Sequence, residues 1–538
     1  MIEDLWYKNA IIYCLDVKTF QDADGNGVGD FRGLIQRLEY LAGLGATCLW
    51  LLPFQPSPNR DNGYDISDHY GIHPGVGSPG DFVEFSRTAR SRGFRLLFDL
   101  VVNHTSDRHP WFQSARRSPA SPYRDWYVWS KQKPKDAAQG MAFPGEQDTT
   151  WSRDPLAKQY FFHRFYDFQP DLHTLNPEVW REVHRIAGYW LSQGISGFRM
   201  DAVPFVIQEK GPGSRHREHY ELLTDLRQFI QWRAGEAVIL AEANVPPRYA
   251  PDFFGAAGGR VQMMFNFQVN QAAFYALAAA DARPLARALE RTRLAQPTCQ
   301  WVQFLRSNDD LDLGRLTPAQ RDRVHSEFAP DPAGRIFGRG IRRRLAPMMN
   351  GDRRRLELAW SLVFSLPGTP LIRSGDEIGM GDDLSLSGRN AARTPMQWSD
   401  DRNGGFSPAR KTYFPVVSEG PFSYRRVNVT AQRRDPGSLL HWMQRLIGRR
   451  KQCPEIGWGE YRVLKTSSNA ALALRYDWQG RAAVLVHNFS PKALTLEVDA
   501  GPSRNGRLSD MLRDDDSRAS RGRHRIQLEG YGYRWYRA

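Results

Sequence analysis

Strands and helices alternate along most of this chain, and the alternation restricts the folds that the sequence can form. Apolar runs rich in β-branched and aromatic residues cover residues 10–17, 46–52 and 94–102. The stretches between them, 31–44 and 81–92, have a helical period, and each is followed by a glycine. Nearly continuous apolar strands separated by helices are typical of parallel sheets. The sequence therefore predicts a parallel sheet that is covered by helices.

The alternation continues to residue 373 and yields eight strand candidates. The later five are a short strand that starts near Gly197 and residues 237–241, 260–266, 299–305 and 368–373. A chain of 538 residues is too long for one compact core, and an eight-stranded β/α barrel takes about 250 residues or more. We therefore predict an α/β fold built on an eight-stranded TIM-type β/α barrel.

Two segments depart from the alternation. Residues 105–168 are rich in Pro, Ser, Trp, Tyr and Lys and have no clear period, which predicts an insertion between a strand and its helix. Near residue 459 the pattern changes to the alternating strands of an all-β sandwich domain. The predicted domains are the first part of the barrel at 1–104, an inserted domain B at 105–168, the second part of the barrel at 169–458 and a C-terminal β domain at 459–538.

Composition argues against several classes of protein. The net charge of +14 comes mostly from scattered arginines, and because no nucleic-acid-binding motif accompanies them we expect no nucleic-acid partner. The four cysteines have no paired C-x-x-C spacing, which favours a reduced, intracellular protein. The N-terminal residues lack a signal-peptide pattern, and no apolar stretch approaches the roughly 20 residues of a membrane span. We predict a cytoplasmic protein without a membrane partner, and leave open whether it forms a homo-oligomer.

The segment Gly197-Phe-Arg-Met-Asp-Ala-Val places charges at the end of a buried strand. Residues two apart in a strand point to the same side, so Arg199 and Asp201 share a face. A neighbouring cation keeps a carboxylate ionised, and an ionised carboxylate can act as a nucleophile. An ordinary surface ion pair explains this short segment equally well.

Other polar residues follow the remaining barrel strands, where β/α barrels carry their active sites. The predicted rim residues are Tyr64, Asp65, Asn103, His104, Arg199, Asp201, Glu242 and Asp309. Several carboxylates on one rim repel one another and thereby push their pKa values apart. We expect the apolar sequence around Glu242 to raise its pKa and Arg199 to keep Asp201 ionised. An acid and a nucleophile of this kind predict glycoside chemistry with retention of configuration.

The motifs that carry these residues resemble the α-amylase family, glycoside hydrolase family 13. The resemblance rests on Asp99-Leu-Val-Val-Asn-His, Gly197-Phe-Arg-Met-Asp-Ala, Glu242 in its apolar segment, and Arg306-Ser-Asn-Asp. Gln169-Pro-Asp-Leu resembles the extra motif of the oligo-1,6-glucosidase branch. Segments at 340–347, 375–382, 393–398 and 401–407 resemble the members that interconvert maltose and trehalose.

The resemblance implies a role for each rim residue. Asp201 would be the nucleophile, Glu242 the general acid and base, and Asp309 the third catalytic carboxylate. The residues implied to line the same sugar subsite are Tyr64, Asp65, His104 and Arg199. Asn308 stands where the family usually has a histidine, so we expect a different hydrogen bond to the sugar. Ala202 resembles the members that act on α-1,4 linkages, which implies maltose-like donors.

A metal site is predicted in the loop Asp22-Ala-Asp-Gly-Asn-Gly-Val-Gly-Asp. Oxygen ligands fall at positions 1, 3, 5, 7 and 9 of an EF-hand-like loop, although Gly33 occupies the usual glutamate position. A glycine-rich turn without an ion is the alternative. Because related enzymes bind Ca²⁺ or Mg²⁺ in the matching loop, the resemblance implies a structural Ca²⁺. Its predicted ligands are Asp22, Asp24, Asn26, the Val28 carbonyl and Asp30.

Three functions follow from these observations. The leading prediction is a retaining enzyme that interconverts maltose and trehalose through a covalent glucosyl intermediate. The second is a hydrolytic α-glucosidase or an amylase of small maltooligosaccharides, in which water replaces glucose as the acceptor. The third is a sugar-binding protein with weak catalysis, for which Asn308 is the only argument. In each case the partner is a small α-glucoside such as maltose, trehalose or a short maltooligosaccharide.

Overall fold

The computed structural model describes residues 3–294, 296–307, 310–520 and 522–538. Asn308 and Asp309, two of the predicted site residues, lie outside the described residues. Within the described ranges, eight parallel strands form a closed barrel, in which each strand lies beside the next one along the chain and the last lies beside the first. These strands, β1 to β8, are Ile12–Leu15, Cys48–Leu51, Arg95–Leu100, Gly197–Met200, Val238–Ala241, Met263–Phe265, Gln300–Phe304 and Thr369–Arg373. The predicted eight-stranded barrel is confirmed.

Helices follow the barrel strands, and most of them start at a polar capping residue. The α-helices up to β8 are Phe31–Gln36, Leu38–Leu44, Pro79–Ser91, Pro110–Arg117, Pro177–Ser192, Val203–Val206, Glu221–Arg233, Ala250–Phe254, Phe267–Ala279, Arg283–Arg291, Pro318–Phe328, Leu345–Met348 and Arg353–Ser365, and those after it are Val429–Arg434, Leu439–Lys451 and Glu455–Trp458. The single helix predicted at 31–44 is wrong, because Arg37 leaves the helical conformation and divides it. Among the described residues, no helix combines the length and the hydrophobicity that a membrane crossing requires.

The chain divides into two compact units, which are described separately below. The first comprises Met1–Cys14, Glu39–Thr47 and Asn266–Ala538, and the second comprises Leu15–Leu38 and Cys48–Phe265. Strands β2 to β6 belong to the second unit, together with the inserted segment and the loop that contains Asp22. Strands β7 and β8 and the C-terminal sheet belong to the first.

The inserted segment of the second unit contains more structure than its sequence suggested. Three short strands, Trp129–Ser130, Tyr160–Phe162 and Trp151–Arg153, form an antiparallel sheet with Tyr160–Phe162 in the centre. Aromatic side chains of this segment pack together, with Phe161 against both Phe112 and Trp129. Strands of two or three residues are too short to produce a period-two pattern, which explains why the sequence showed none.

The C-terminal residues of the first unit form an antiparallel sheet. Strands β9 to β16 are Glu460–Leu464, Ala471–Trp478, Arg481–Asn488, Leu494–Val498, Arg507–Asp510, Ser517–Ser520, Arg523–Leu528 and Tyr533–Arg537. They pair in the order β9-β10-β11-β16-β13-β14-β15-β12. Side chains from both halves of this order, such as Val484 of β11 and Leu496 of β12, share one core. The predicted all-β domain is confirmed. The sequence pattern indicated β10, β11, β12 and β16 but missed β9 and β13 to β15; the exposed faces of β13 to β15 are rich in arginine.

Candidate active site

Strand β4 positions Arg199 and Asp201 in the second unit. It pairs with β3, so that Arg199 lies opposite Asp99, and with β5, so that Met200 lies opposite Ala241. Phe198 and Met200 are fully buried on the alternate face. Gly197 has a φ of +144°, and a Cβ there would meet the Val238 carbonyl oxygen at 2.2 Å. Only glycine therefore allows β4 to approach β5 closely enough to form the pairing.

The guanidinium of Arg199 holds three carboxylates at once. Its Nη1 contacts the carboxylates of Asp99 and Asp201, and its Nη2 lies 2.9 Å from Oε2 of Glu242. Arg199 is 1% exposed and Asp99 is fully buried. Buried charges are stable only when they are paired and hydrogen-bonded, so Arg199 fixes the positions of these acids. The carboxylates of Asp201 and Glu242, predicted from sequence to work as a pair, therefore contact one cation.

Asp99 belongs to this cluster but was not among the predicted site residues. Trp50 Nε1 donates to its Oδ2 at 3.0 Å, and the Tyr64 hydroxyl donates to the same oxygen at 3.4 Å. Burial raises the pKa of Asp99 to about 7. The positive charge of Arg199 opposes this rise, and the negative charge of Asp201 adds to it. Two signals in the sequence pointed to Asp99: it is a carboxylate near the end of a mostly apolar strand, and it opens the motif Asp99-Leu-Val-Val-Asn-His.

Glu242 follows β5, where the sequence placed it in an apolar setting. In the structure its carboxylate has polar partners, because Oε2 accepts a hydrogen bond from the Ala202 N–H at 3.1 Å in addition to its contact with Arg199. Ala202 donates from a left-handed conformation with a φ of +48°. The Glu242 side chain is 26% exposed, compared with 9% for Asp201. Of these two acids, Glu242 is the better placed to exchange protons.

His104 and Tyr64 lie beside one another in the same unit. His104 Nε2 is 3.1 Å from the Tyr64 carbonyl oxygen, to which it donates, and its ring packs 5.1 Å from that of Phe165. Burial lowers the pKa of His104 and keeps the imidazole neutral at neutral pH. The Tyr64 ring lies 5.8 Å from the Arg199 guanidinium. A hydrogen bond therefore connects the loop after β2 to the loop after β3, next to the Arg199 cluster.

A buried ammonium group supports the loop that carries His104. Lys210 Nζ donates to Asn103 Oδ1 at 2.8 Å and to the Leu172 carbonyl at 3.0 Å, and it lies 3.0 Å from Oδ2 of Asp171. Asn103 Nδ2 donates to the same Asp171 oxygen at 3.1 Å. The sequence analysis had missed Lys210, which is 107 residues away from Asn103 along the chain.

The structure does not bring Asp65 to the Arg199 cluster. Its Oδ1 accepts hydrogen bonds from the Ser57 hydroxyl at 2.8 Å and the Asp61 N–H at 3.1 Å, and its Oδ2 accepts one from the Arg60 N–H at 3.1 Å. Asp65 is fully buried, and burial raises its pKa. In this conformation Asp65 organises the loop before Tyr64.

Comparison with known protein families identifies the family of this chain. The sequence model of the α-amylase catalytic domain matches residues 14–459. The chain belongs to the α-amylase family. A second model, that of the C-terminal domain of sucrose hydrolase-like proteins, matches residues 480–537. The match to the α-amylase catalytic domain covers β2 to β8 and every predicted site residue.

Relatives within the α-amylase family are similar over nearly the whole chain. A trehalose synthase of Thermus thermophilus is 41% identical over 99% of this chain, and one of a Pimelobacter strain is 38% identical over 99%. The chain spans 55% of the Thermus relative and 96% of the Pimelobacter relative. The crystal structure of trehalulose synthase from Pseudomonas mesoacidophila matches with a TM-score of 0.78 at 25% identity, covering 99% of both chains.

The predicted metal loop of this α-amylase family member brings three carboxylates together. Oxygen atoms of Asp22, Asp24 and Asp30 lie within 4.8 Å of one another. Burial and the charges of the other two acids raise the pKa of Asp24, although an N–H hydrogen bond within the loop opposes this. Gly33 occupies the position of the EF-hand glutamate because a Cβ there would lie 2.1 Å from the Gln21 carbonyl oxygen. The backbone contact excludes any side chain at that position.

Two buried histidines support the end of β3, near His104. The Trp111 N–H donates to His109 Nδ1 at 3.2 Å, so His109 Nε2 carries the proton that faces His69 Nδ1 at 3.3 Å. His69 Nε2 in turn donates to the Val101 carbonyl at 3.1 Å. This chain of hydrogen bonds requires both rings to be neutral. Burial lowers the pKa of His69 to about 4 and that of His109 to about 2.

These histidines should make the protein sensitive to acid. An unfolded histidine takes up its proton near pH 6.5, whereas folded His69 does so near pH 4. The unfolded state therefore binds more protons in this range, and the free energy of unfolding falls as the pH drops from 6.5 to 4. Urea unfolding of the wild type and of His109→Asn, whose side chain can still accept from Trp111, should show a smaller loss in the variant. His216→Asn, at an exposed position, is the control, and equal losses in all three proteins would contradict the prediction.

Proposed function

We propose that this chain is a retaining α-glucosyl enzyme of trehalose-synthase type, which interconverts maltose and trehalose. The observation that carries the proposal is the contact of Asp201 and Glu242 with one guanidinium, in a chain whose trehalose synthase relatives are similar over 99% of its length. Retention requires a nucleophile and an acid about 5 to 5.5 Å apart. A shared cation supports such a short separation.

In the first half of the reaction, the enzyme breaks the glycosidic bond. Asp201 attacks the anomeric carbon of the non-reducing glucose, while Glu242 transfers its proton to the glycosidic oxygen. The released glucose leaves with that proton, and a glucosyl ester remains on Asp201. Arg199 contacts Asp201 and Glu242 throughout, and its positive charge favours the ionised carboxylate of the nucleophile.

In the second half, the released glucose returns as the acceptor. Glu242, now ionised, takes the proton from the anomeric hydroxyl of that glucose, whose oxygen attacks the anomeric carbon of the intermediate. The bond to Asp201 breaks and trehalose forms. If water enters before glucose has turned over, the same intermediate is hydrolysed. The balance between isomerase and hydrolase therefore depends on how long the pocket retains glucose.

The resemblance to the family supplies the other proposed roles. Asp309 is the proposed third carboxylate, which binds the hydroxyls of the distorted sugar. Asn308 is the proposed amide donor in place of a histidine. Tyr64 and His104 are proposed to line the glucose site with Arg199, whereas the hydrogen bonds of Asp65 favour a role in shaping the adjacent loop.

A product assay separates the three candidate functions. The protein is incubated with maltose, and trehalose, glucose and residual maltose are separated by chromatography. We expect trehalose as the main product, and the reverse conversion from trehalose. If glucose forms without trehalose, the protein is a hydrolase and the proposed isomerase is excluded. If α-glucosyl fluoride is not cleaved while maltose still binds, the protein is a sugar-binding protein and the proposed enzyme is excluded.

We also propose that the loop of Asp22, Asp24, Asn26, Val28 and Asp30 binds a structural Ca²⁺, for which Mg²⁺ is the alternative. The converging carboxylates support it, because Ca²⁺ prefers oxygen ligands and its charge relieves the repulsion among the three acids. Several of these oxygens also accept backbone N–H groups, as Asp22 does from Gly25 and Gly27. The ion would brace the loop and take no part in the reaction.

Removing the metal should destabilise the protein. A ligand present at 100 times its Kd adds about 2.7 kcal/mol to the folded state, so we expect chelation with EDTA to lower the Tm and excess Ca²⁺ to restore it. Mg²⁺ is tested separately at the same ionic strength. Asp24→Asn, which removes one ligand charge, should reduce the response. An identical Tm with EDTA and with either ion would exclude the site.

We propose that the protein works in a reducing compartment, the cytoplasm. Its four cysteines, Cys14, Cys48, Cys299 and Cys453, are free and buried, which supports the proposal because none of them is placed to form a disulfide. Activity that is unchanged by dithiothreitol and retained in a cytosolic fraction is the expected result.

A further inference from the structure

A cluster of buried arginines lies in the first unit, at the carboxyl ends of β7 and β8. Arg373 is the last residue of β8, Arg306 follows β7, and Arg344 precedes the helix Leu345–Met348. They are 5%, 1% and 2% exposed, and the carboxylate of Asp376, which is 2% exposed, lies among them. Three guanidinium groups at such low exposure are unusual, because each buried charge needs a partner.

Several hydrogen bonds of the cluster go to carbonyl oxygens, which carry no full charge. Arg344 Nη1 donates to the Ser374 carbonyl at 2.8 Å and to Asp376 Oδ1 at 3.2 Å. Arg306 Nε donates to the Arg343 carbonyl at 2.9 Å, and Arg373 Nη2 donates to the Ala392 carbonyl. Among the residues that the structure describes, Arg344 Nε and Arg373 Nη1 have no hydrogen-bond acceptor.

The electrostatics of the cluster are unbalanced around Arg373. The charges that act on it most strongly are those of Arg344, Asp376 and Arg306, which are two cations and one anion. Burial and the two neighbouring cations lower its pKa well below that of an ordinary arginine. Asp376 faces the same three arginines. The carboxylate of Asp376 thus interacts with three guanidinium groups.

We propose that a small inorganic anion, a halide or an oxyanion such as phosphate, binds between Arg344 and Arg373 beside Arg306. It would accept the N–H groups of Arg373 Nη1 and Arg344 Nε and supply negative charge in a site that is closed to water. The loops after strands 7 and 8 of β/α barrels are a frequent location of phosphate sites. Because Arg306 leads directly into the segment Ser307-Asn308-Asp309, the anion would also brace the segment that carries the proposed third carboxylate. The site itself does not depend on the proposed reaction.

Thermal unfolding at fixed ionic strength tests the proposal. The whole chain is heated in sodium chloride, sodium phosphate or sodium gluconate, the last being too large for a closed site. We expect a saturable rise in Tm of about 2 °C or more in chloride or phosphate relative to gluconate, and the salt that gives the rise identifies the class of anion. An equal Tm in all three salts overturns the proposal.

Variants locate the effect in the cluster. Arg373→Met, which keeps the volume of the side chain and removes its charge, should lose the anion response. Arg354→Met, at an exposed arginine of the helix Arg353–Ser365, should keep it. If chloride gives the rise in Tm, wild-type crystals grown in bromide should show an anomalous peak between Arg344 and Arg373. If phosphate gives it, crystals grown in phosphate should show tetrahedral density there. Anion responses that are the same in both variants, or crystals without density for the anion that raises the Tm, would exclude the site.

Discussion

Replacing Asp201 with Asn should reduce the turnover of maltose by about 10⁴-fold or more, because an amide cannot form the glucosyl ester. The fold should survive, since Asn has the size of Asp and its carbonyl oxygen can still accept from Arg199. Initial rates of trehalose formation measure the effect. Asp225→Asn, at a carboxylate of the helix Glu221–Arg233 that binds Trp180 and His184, is the matched control and should keep wild-type activity.

A companion variant separates the two catalytic roles. Glu242→Gln cannot protonate a sugar leaving group, but fluoride leaves without protonation. With α-glucosyl fluoride, Glu242→Gln should therefore accumulate a covalent glucosyl adduct on Asp201, detectable by mass spectrometry of the intact protein, whereas Asp201→Asn should form none. An adduct on Asp201→Asn, or wild-type maltose turnover in either variant, would contradict the assignment of roles.

Replacing Lys210 with Met should destabilise the protein by about 3 to 5 kcal/mol, since it leaves the buried carboxylate of Asp171 without its cation. Both groups are almost inaccessible to water, and Lys210 Nζ also holds Asn103 next to His104. Urea unfolding followed by circular dichroism measures the loss. The displaced loop should also lower activity, because it carries His104.

A double variant separates the effect of the unpaired Asp171 charge from the effect of losing the packing of the Lys210 side chain. Adding Asp171→Asn to Lys210→Met removes the orphaned charge and leaves an amide that can still accept from the Arg164 N–H at 2.8 Å. We expect this variant to recover much of the lost stability, which gives a coupling energy of opposite sign to the single losses. If the two changes add without coupling, the ion pair does not stabilise the fold, and packing of the Lys210 side chain accounts for the loss.

Much of the fold was readable in the sequence because the signals are local. Apolar runs such as 94–102 and helical periods arise from neighbouring residues alone, and polar residues directly after strands mark the rim of a barrel. Asp201, Glu242, Tyr64 and His104 were predicted as site residues in this way. The strands of the inserted segment were missed because two or three residues show no period. The helix at 31–44 was predicted as continuous because nothing in the local sequence marks the break at Arg37.

Only the tertiary structure decided which side chains meet. The register of β3 against β4 places Asp99 opposite Arg199, and the fold of the second unit brings Lys210 to Asn103 across 107 residues. The tertiary structure also directs the Asp65 side chain towards the backbone of its own loop. In the first unit it brings Arg306, Arg344 and Arg373 close to Asp376. The sequence by itself determined the barrel strands and the polar side chains that follow them, since both depend on the local order of residues. Pairing among the charges was decided by burial and strand register, which depend on contacts between distant parts of the chain.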